Sequence, residues 1–141
     1  MQREIKFRAF YDGKMYDVIK FDFSKGEAGL GYFENRYCGI KWRQIGAINL
    51  MQFTGLTDKN NKEIYEGDVL KTPYNDVYDF AYYQIVWDDR AAFYCHCVAL
   101  HHKESGFKDI SRGGYCEGFL ESGKDKEVIG NVYEDENLLK K

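Results

Sequence analysis

The sequence has little proline, no long apolar run and no excess of positive charge. Pro73 is the single proline in 141 residues, and no low-complexity tract is present. No stretch approaches the roughly 18 apolar residues that a membrane-spanning helix needs. The first residues, Met1 to Lys6, are charged and no apolar segment follows them, so we expect no secretory signal. These absences predict a protein that stays in the cytoplasm and does not bind a membrane.

A strong excess of positive charge is also missing, since the formal net charge is −3. This balance argues against binding of nucleic acid or anionic lipid through bulk charge. The charge is uneven along the chain, with a positive excess over residues 1–56 and a negative excess over 57–141. Such an asymmetry could serve head-to-tail self-association or a local anionic contact, and the favoured alternative is that it is incidental.

Aromatic residues are abundant, at 17% of the chain, and 14 glycines accompany them. Aromatic side chains suit half-buried strands, and glycine suits the tight turns between them. A chain of this length buries roughly two thirds of its unfolded surface, so a core needs neither metal nor disulfide. Because thiols in the cytosol are kept reduced, the four cysteines are expected to be free. The composition predicts a mainly β protein.

Alternating side chains and turn residues locate the strands. Asp12-Gly13 between two alternating runs predicts a hairpin over residues 4–19. A second hairpin is predicted over residues 81–98, and single strands over 47–53, 68–71 and 127–133. The glycines of residues 24–40 predict a loop or short strands with little regular pairing. Residues 54–62 and 100–125 are read as loops, residues 36–48 could hold a short helix, and residues 134–139 could form one helical turn.

One cluster of cysteine and histidine could in principle carry chemistry: Cys95, His96, Cys97, His101, His102 and Cys116. Zinc sites usually take ligands in pairs two to four residues apart, and a one-residue gap fits this spacing poorly. A cysteine nucleophile would need an oriented base, which spacing cannot show. Buried thiols and solvated histidines explain the cluster better. We therefore predict no catalytic residue, no metal site and no cofactor.

Three carboxylates, Glu63, Glu66 and Asp68, lie near one turn. They could bind a divalent cation through oxygen. A turn in which Asp68 accepts backbone N–H groups and Gly67 adopts a special φ is the favoured reading.

The best candidate for a binding patch combines basic and aromatic residues. Single-stranded nucleic acid is held by base stacking together with phosphate contacts, and such a site needs both residue types. The alternative is that Trp42 packs in the core while its neighbours are solvated. The candidate nucleic-acid-binding residues are Lys6, Arg8, Lys41, Trp42 and Arg43.

Three parts of the sequence together carry a resemblance. They are the opening Arg3–Phe10 with Lys14–Tyr16, the long segment Leu50–Val69, and Ile85–Asp89 with Glu127–Tyr133. These segments resemble the YopX family of phage and prophage proteins, and Leu50–Val69 is the most specific match.

The resemblance implies a phage or prophage protein in the bacterial cytoplasm, with a mostly β fold. It implies a single domain over 1–141, with subdomains at 1–56 and 57–141, the second an SH3-like barrel beginning near residue 60. It implies no activity and no catalytic residue. We expect a noncatalytic accessory protein that binds a phage or host macromolecule and can self-associate. A nucleic-acid-binding module and a metal-dependent or hydrolytic enzyme are the alternatives.

Overall fold

Every regular element that the computed structural model describes is a strand, apart from one 3₁₀ turn at Ile45–Ala47. The structure describes residues 4–74, 76–88, 92–109 and 118–135. No α-helix occurs among them, which confirms the predicted mainly β class. The strands are β1 (Phe7–Tyr11), β2 (Lys14–Asp22), β3 (Glu27–Glu34), β4 (Tyr37–Gln44), β5 (Asn49–Thr57), β6 (Glu63–Tyr65), β7 (Asp68–Pro73), β8 (Tyr78–Asp88), β9 (Ala92–His102), β10 (Gly106–Asp109), β11 (Gly118–Phe119) and β12 (Glu127–Asn131).

The chain forms two compact units, Met1–Phe53 and Thr54–Lys141. The first sheet has the order β4-β3-β2-β1-β5-β6, and β5 runs from the first unit into the second. The second sheet has the order β10-β9-β8-β7-β12, with β11 paired to β9.

The predicted hairpin over residues 4–19 is confirmed as β1 and β2, which pair antiparallel. Its turn residues, Asp12 and Gly13, have φ of 50° and 76°. Both values lie in the left-handed region that a two-residue hairpin turn of this type requires.

The prediction of irregular structure over residues 24–40 was wrong. β3 and β4 form an unbroken antiparallel hairpin from Glu27 opposite Gln44 to Glu34 opposite Tyr37. Bulky cross-strand neighbours cover the strand glycines, which otherwise weaken a strand. A Cβ atom at Gly29 would collide with Ile40, and one at Gly39 would collide with Tyr32. Residues 36–48 hold no longer helix than the single 3₁₀ turn.

The first unit buries one face of its strands, here called the core face. Residues that oppose each other in a ladder point to the same side of the sheet. The strand pairing therefore determines which side chains lie on the core face. The buried cluster on this face is apolar and combines small with large side chains: Ala9, Tyr16, Ala28, Leu30 and Ile48, with Tyr11, Val18, Phe21, Tyr32, Ile45 and Leu50 packed against it.

The second sheet buries side chains on both of its faces. One cluster contains Leu70, Ile85 and Cys97, and another contains Tyr82 and Ala99. The predicted hairpin over residues 81–98 is confirmed as β8 and β9. β10 pairs with the end of β9, so the predicted loop over 100–125 contains strand structure. Its residues 110–117, and the predicted helical turn from residue 136 onward, lie outside the described residues.

The predicted SH3-like barrel is not formed by the described strands. The two ends of the second sheet are β10 and β12, and no described ladder joins them. The β7–β12 ladder is short and shifts its register between Val128 and Gly130. The sheet therefore remains open. In the described part of the chain, no helix has the length and apolar character needed to span a membrane.

Candidate functional site

The segment Leu50–Val69 contains a loop organised by Asp58. One carboxylate oxygen of Asp58 accepts backbone N–H bonds from Asn60 at 2.8 Å and Lys62 at 2.9 Å. The other accepts the N–H of Val128 at 2.9 Å. Burial acts to raise the pKa of Asp58, and these hydrogen bonds outweigh it and lower the pKa. Asp58 thus ties the 58–62 loop to β12.

The neighbouring acidic turn has the structure predicted for a turn. Asp68 is 1% exposed, and its Oδ2 accepts the Tyr65 backbone N–H at 2.8 Å. Gly67 has φ of 88°, in the left-handed region that glycine tolerates. No group of three or more His, Cys, Asp or Glu side chains suited to a metal ion is found among the described residues.

The cysteine and histidine cluster is divided between the faces of β9. Cys95 and Cys97 are buried in the core of the second sheet, as predicted for packed thiols. Burial raises the pKa of Cys95 to about 11, so its thiol stays protonated at neutral pH. His96 lies between them in the strand and points to the other side. Cys116 lies outside the described residues.

The remaining histidines make local contacts at the end of β9. His101 Nδ1 lies 2.7 Å from Asp79 Oδ1, and this hydrogen bond lowers the pKa of Asp79. The Nδ1 atom of His102 accepts backbone N–H bonds from Glu104 and Ser105. These bonds stabilise the turn between β9 and β10.

The five predicted nucleic-acid-binding residues do not form one patch. Lys41 and Arg43 oppose Leu30 and Ala28, so they lie on the core face. Trp42 lies between them in the strand and points to the opposite face, which carries Gly29 and Gly31 and is here called the glycine face.

Arg8 shares the glycine face with Trp42, since it opposes Asp17, which in turn opposes Gly31. It is three strands away from Trp42 in the sheet order. Lys6 precedes β1, with its Nζ 4.7 Å from the Phe53 ring centroid and 3.4 Å from Glu4 Oε1.

The two cations of β4 cover aromatic rings of their own sheet. Lys41 Nζ lies 5.6 Å from the ring centroid of Tyr16 and 5.4 Å from that of Tyr32. Arg43 Cζ lies 5.2 Å from the ring centroid of Tyr11. Cation–π contacts of this kind hold both side chains over the core face.

The glycine face carries an exposed apolar groove of about 450 Å³, lined by Asp17, Ile19, Phe33, Cys38 and Ile40 among others. Ile19 is 56% exposed and Phe33 is 75% exposed. Trp42 is 41% exposed and lies over Gly29, so it is not in the core. Clustered exposed apolar side chains mark interaction sites more often than single ones do.

Sequence reasoning identified Trp42 in this site but missed Ile19, Phe33 and the groove between them. The alternation Gly29-Leu30-Gly31 was the available signal. It puts two glycines on one face of a strand, where they leave a depression under the side chains of neighbouring strands.

Comparison with known proteins identifies the family and the fold. The profile described as "YopX protein" matches residues 6–140. The structure is similar to the crystal structure of protein EF1440 from Enterococcus faecalis, with a TM-score of 0.53 and 22% identity. The match covers 99% of this chain and 100% of that one, and at this identity it shows the fold alone. Curated proteins give no significant match. The chain belongs to the YopX family.

Proposed function

We propose that this chain is a noncatalytic phage or prophage accessory protein of the bacterial cytoplasm, which binds an extended protein segment on its N-terminal sheet. The binding surface consists of the groove on the glycine face and the adjacent strand β4. The single observation that carries the proposal is the exposure of Ile19 and Phe33, which line that groove, together with Trp42, which follows the groove residue Ile40 on the same face of β4.

The chemistry of the groove favours a protein partner. Its lining is mainly apolar, with Asp17 as the charged side chain among the lining residues. An apolar groove gains free energy when it removes other apolar side chains from water, whereas a phosphate backbone would need cations. An extended segment can also bond to the backbone at a sheet edge while its side chains enter the groove.

The test compares two variants that each remove an exposed tryptophan. Trp42→Ala changes the proposed surface, and Trp87→Ala is the matched control in β8, where Trp87 is 48% exposed. Immobilised wild-type and variant chains are incubated with lysate of phage-carrying host cells, and bound proteins are identified by mass spectrometry. Sedimentation velocity of each purified chain measures self-association in parallel.

We expect Trp42→Ala to lose at least about tenfold of the bound protein or of the self-association, and Trp87→Ala to keep both. An aromatic anchor at the centre of an interface accounts for a loss of this size. If wild type and Trp42→Ala behave alike in both measurements, the proposal is wrong.

Nucleic-acid binding stays a prediction, and the same variants test it. Titration of labelled single-stranded oligonucleotides would show affinity that falls with salt and depends on the lysines and arginines. If wild type binds the oligonucleotides, Trp42→Ala does not, and no protein is captured from the lysate, then the partner of this surface is a nucleic acid and not a protein.

A further inference from the structure

Strand β4 ends the order of the first sheet and pairs with β3 alone among the described strands. Tyr37 opposes Glu34 across a two-residue turn, and the Ile45 N–H donates to the Gly26 carbonyl. Odd-numbered residues of β4 therefore direct their backbone groups towards β3. The backbone N–H and C=O groups of Cys38, Ile40 and Trp42 point outward, since alternate residues of a strand bond to opposite sides.

This edge lacks most of the usual features that prevent pairing with another chain. Exposed edges are normally protected by proline, by a bulge or by charged side chains. β4 contains no proline, and its register with β3 is unbroken. Of its charged side chains, Lys41 is held over tyrosine rings of the core face. Arg43 covers the Tyr11 ring and also donates from Nη1 to the Trp42 carbonyl at 2.8 Å, so it is the one charged group bonded to this edge.

We propose that β4 pairs antiparallel with β4 of a second copy of this chain, about a twofold axis at Ile40. In this register Ile40 opposes the partner's Ile40, and Trp42 opposes the partner's Cys38. Each of these pairs has outward-directed backbone groups on both strands, which allows about six backbone hydrogen bonds. Two of the six need the Trp42 carbonyls, which each already accept a bond from Arg43 of the same chain and must use their second lone pair. This inference rests on the proposed function and names the second copy as the bound extended segment.

Side-chain complementarity on the glycine face favours a second copy over a foreign strand. A twofold axis at Ile40 places each residue opposite the partner residue that lies equally far from Ile40 on the other side. The side chains before Ile40 must therefore fit against those after it. Trp42 is large and partly exposed, whereas Cys38 lines the groove beside Phe33. The partner's Trp42 therefore reaches the groove of this copy, and Trp42 of this copy reaches the partner's groove.

The core face matches in the same way. Lys41 opposes the partner's Gly39, which has no side chain to collide with it. Arg43 opposes the partner's Tyr37, and Tyr37 is exposed in one copy of the chain. Arg43 stays over Tyr11 and on the Trp42 carbonyl of its own chain, and no like charges oppose each other directly in this register.

Sedimentation velocity and thiol crosslinking of the full chain test the register. In a Cys38→Ser background, Ile40→Cys places two thiols on opposing residues whose Cα atoms are about 5.5 Å apart. Lys20→Cys in the same background is the matched control. Lys20 is exposed on β2, opposite Gly29, so the two copies of this position are separated by about 24 Å, at roughly 4.8 Å per strand.

We expect wild type to sediment as a dimer, and a short bis-maleimide to crosslink the Ile40→Cys chain at least about tenfold more than the Lys20→Cys chain. Circular dichroism of both variants verifies that each is folded. A monomeric wild type, or equal crosslinking of the two variants, overturns the inference. If a monomeric chain still binds another protein through Trp42, the proposed function stands and only the inference of a second copy is wrong.

Discussion

Asp58 shows how one side chain of the YopX-like segment holds distant parts of the second unit together. It is 4% exposed and accepts three backbone N–H bonds, from Asn60, Lys62 and Val128. Buried N–H groups that lose their acceptor cost more free energy than the hydrogen bond itself contributes. The carboxylate therefore has a structural role, and its removal affects stability before any binding.

For Asp58→Asn we expect the free energy of unfolding to fall by about 1–3 kcal/mol, because one amide nitrogen must replace an oxygen that accepts an N–H bond. Urea denaturation at pH 7 measures the change. Asp12→Asn is the control, since Asp12 is exposed in a turn where asparagine is equally suited. Equal stability of the two variants would contradict the role given to Asp58.

Gly123 has a different function, which is to allow the close approach of two backbone segments. A Cβ atom there would overlap the carbonyl oxygen of Thr57 and the side chain of Ile64. We expect Gly123→Ala to lose about 1–3 kcal/mol in thermal unfolding, as is typical of overpacking. Gly46→Ala should change stability by less than about 0.5 kcal/mol, because nothing lies within 4 Å of a Cβ atom at that position.

At the scale of elements, the β3–β4 hairpin has an unfavourable turn sequence. Asn35 and Arg36 occupy the two turn positions with φ of 48° and 70°. Arginine rarely adopts this conformation, whereas glycine does so without strain. We expect Arg36→Gly to raise the midpoint of thermal unfolding, with a gain in stability of about 0.5–1 kcal/mol.

Arg36→Ala separates backbone strain from the loss of the arginine side chain. Alanine keeps the Cβ atom and therefore the strain, so this variant should gain nothing. A similar gain in both variants would mean that the side chain, and not the backbone, limits the stability of the turn.

The same hairpin shows why sequence reasoning found some elements and missed others. Asp12-Gly13 is the preferred turn sequence, and it predicted the β1–β2 hairpin. The β3–β4 turn has Asn35-Arg36, and the strands contain glycines that normally interrupt strands. Ile40 and Tyr32 cover two of these glycines from the neighbouring strand, a long-range effect that local propensity does not contain.

The residues of the candidate site could be predicted from the sequence only where the strands that carry them were predicted. Once residues 41–43 are assigned to a strand, alternation separates Trp42 from Lys41 and Arg43. A bulge changes alternation in a way the sequence does not show. In β2, Val18 opposes Leu30 and Lys20 opposes Gly29 of β3, so Ile19 is the extra residue of a bulge. Its side chain lies over Gly31 and lines the groove. The groove therefore depends on register as well as on composition.

At the scale of the whole molecule, four aspartates of the described residues link stability to pH. The Ser24 hydroxyl lowers the pKa of Asp22, His101 that of Asp79 and Lys126 that of Asp125. The pKa of Asp58 is lowered by backbone N–H groups against the effect of burial. A carboxyl group with a lowered folded-state pKa stabilises the fold above its unfolded-state pKa of about 3.9, and this stabilisation disappears as pH falls through the folded-state value.

We therefore expect the urea midpoint to change little between about pH 7 and pH 5 and to fall steeply below about pH 4. Asp58→Asn should make the fall in stability at low pH less steep, because its side chain no longer titrates, and its difference in stability from wild type should shrink as pH falls.

Added salt at 0.5 M, an ionic strength that screens surface charges beyond roughly 4–5 Å, distinguishes the exposed aspartates from Asp58. It should weaken the effect of Asp125 beside Lys126 and leave the hydrogen bonds of buried Asp58 intact. An acid limb of the same steepness in Asp58→Asn and wild type would assign the acid sensitivity to the more exposed aspartates.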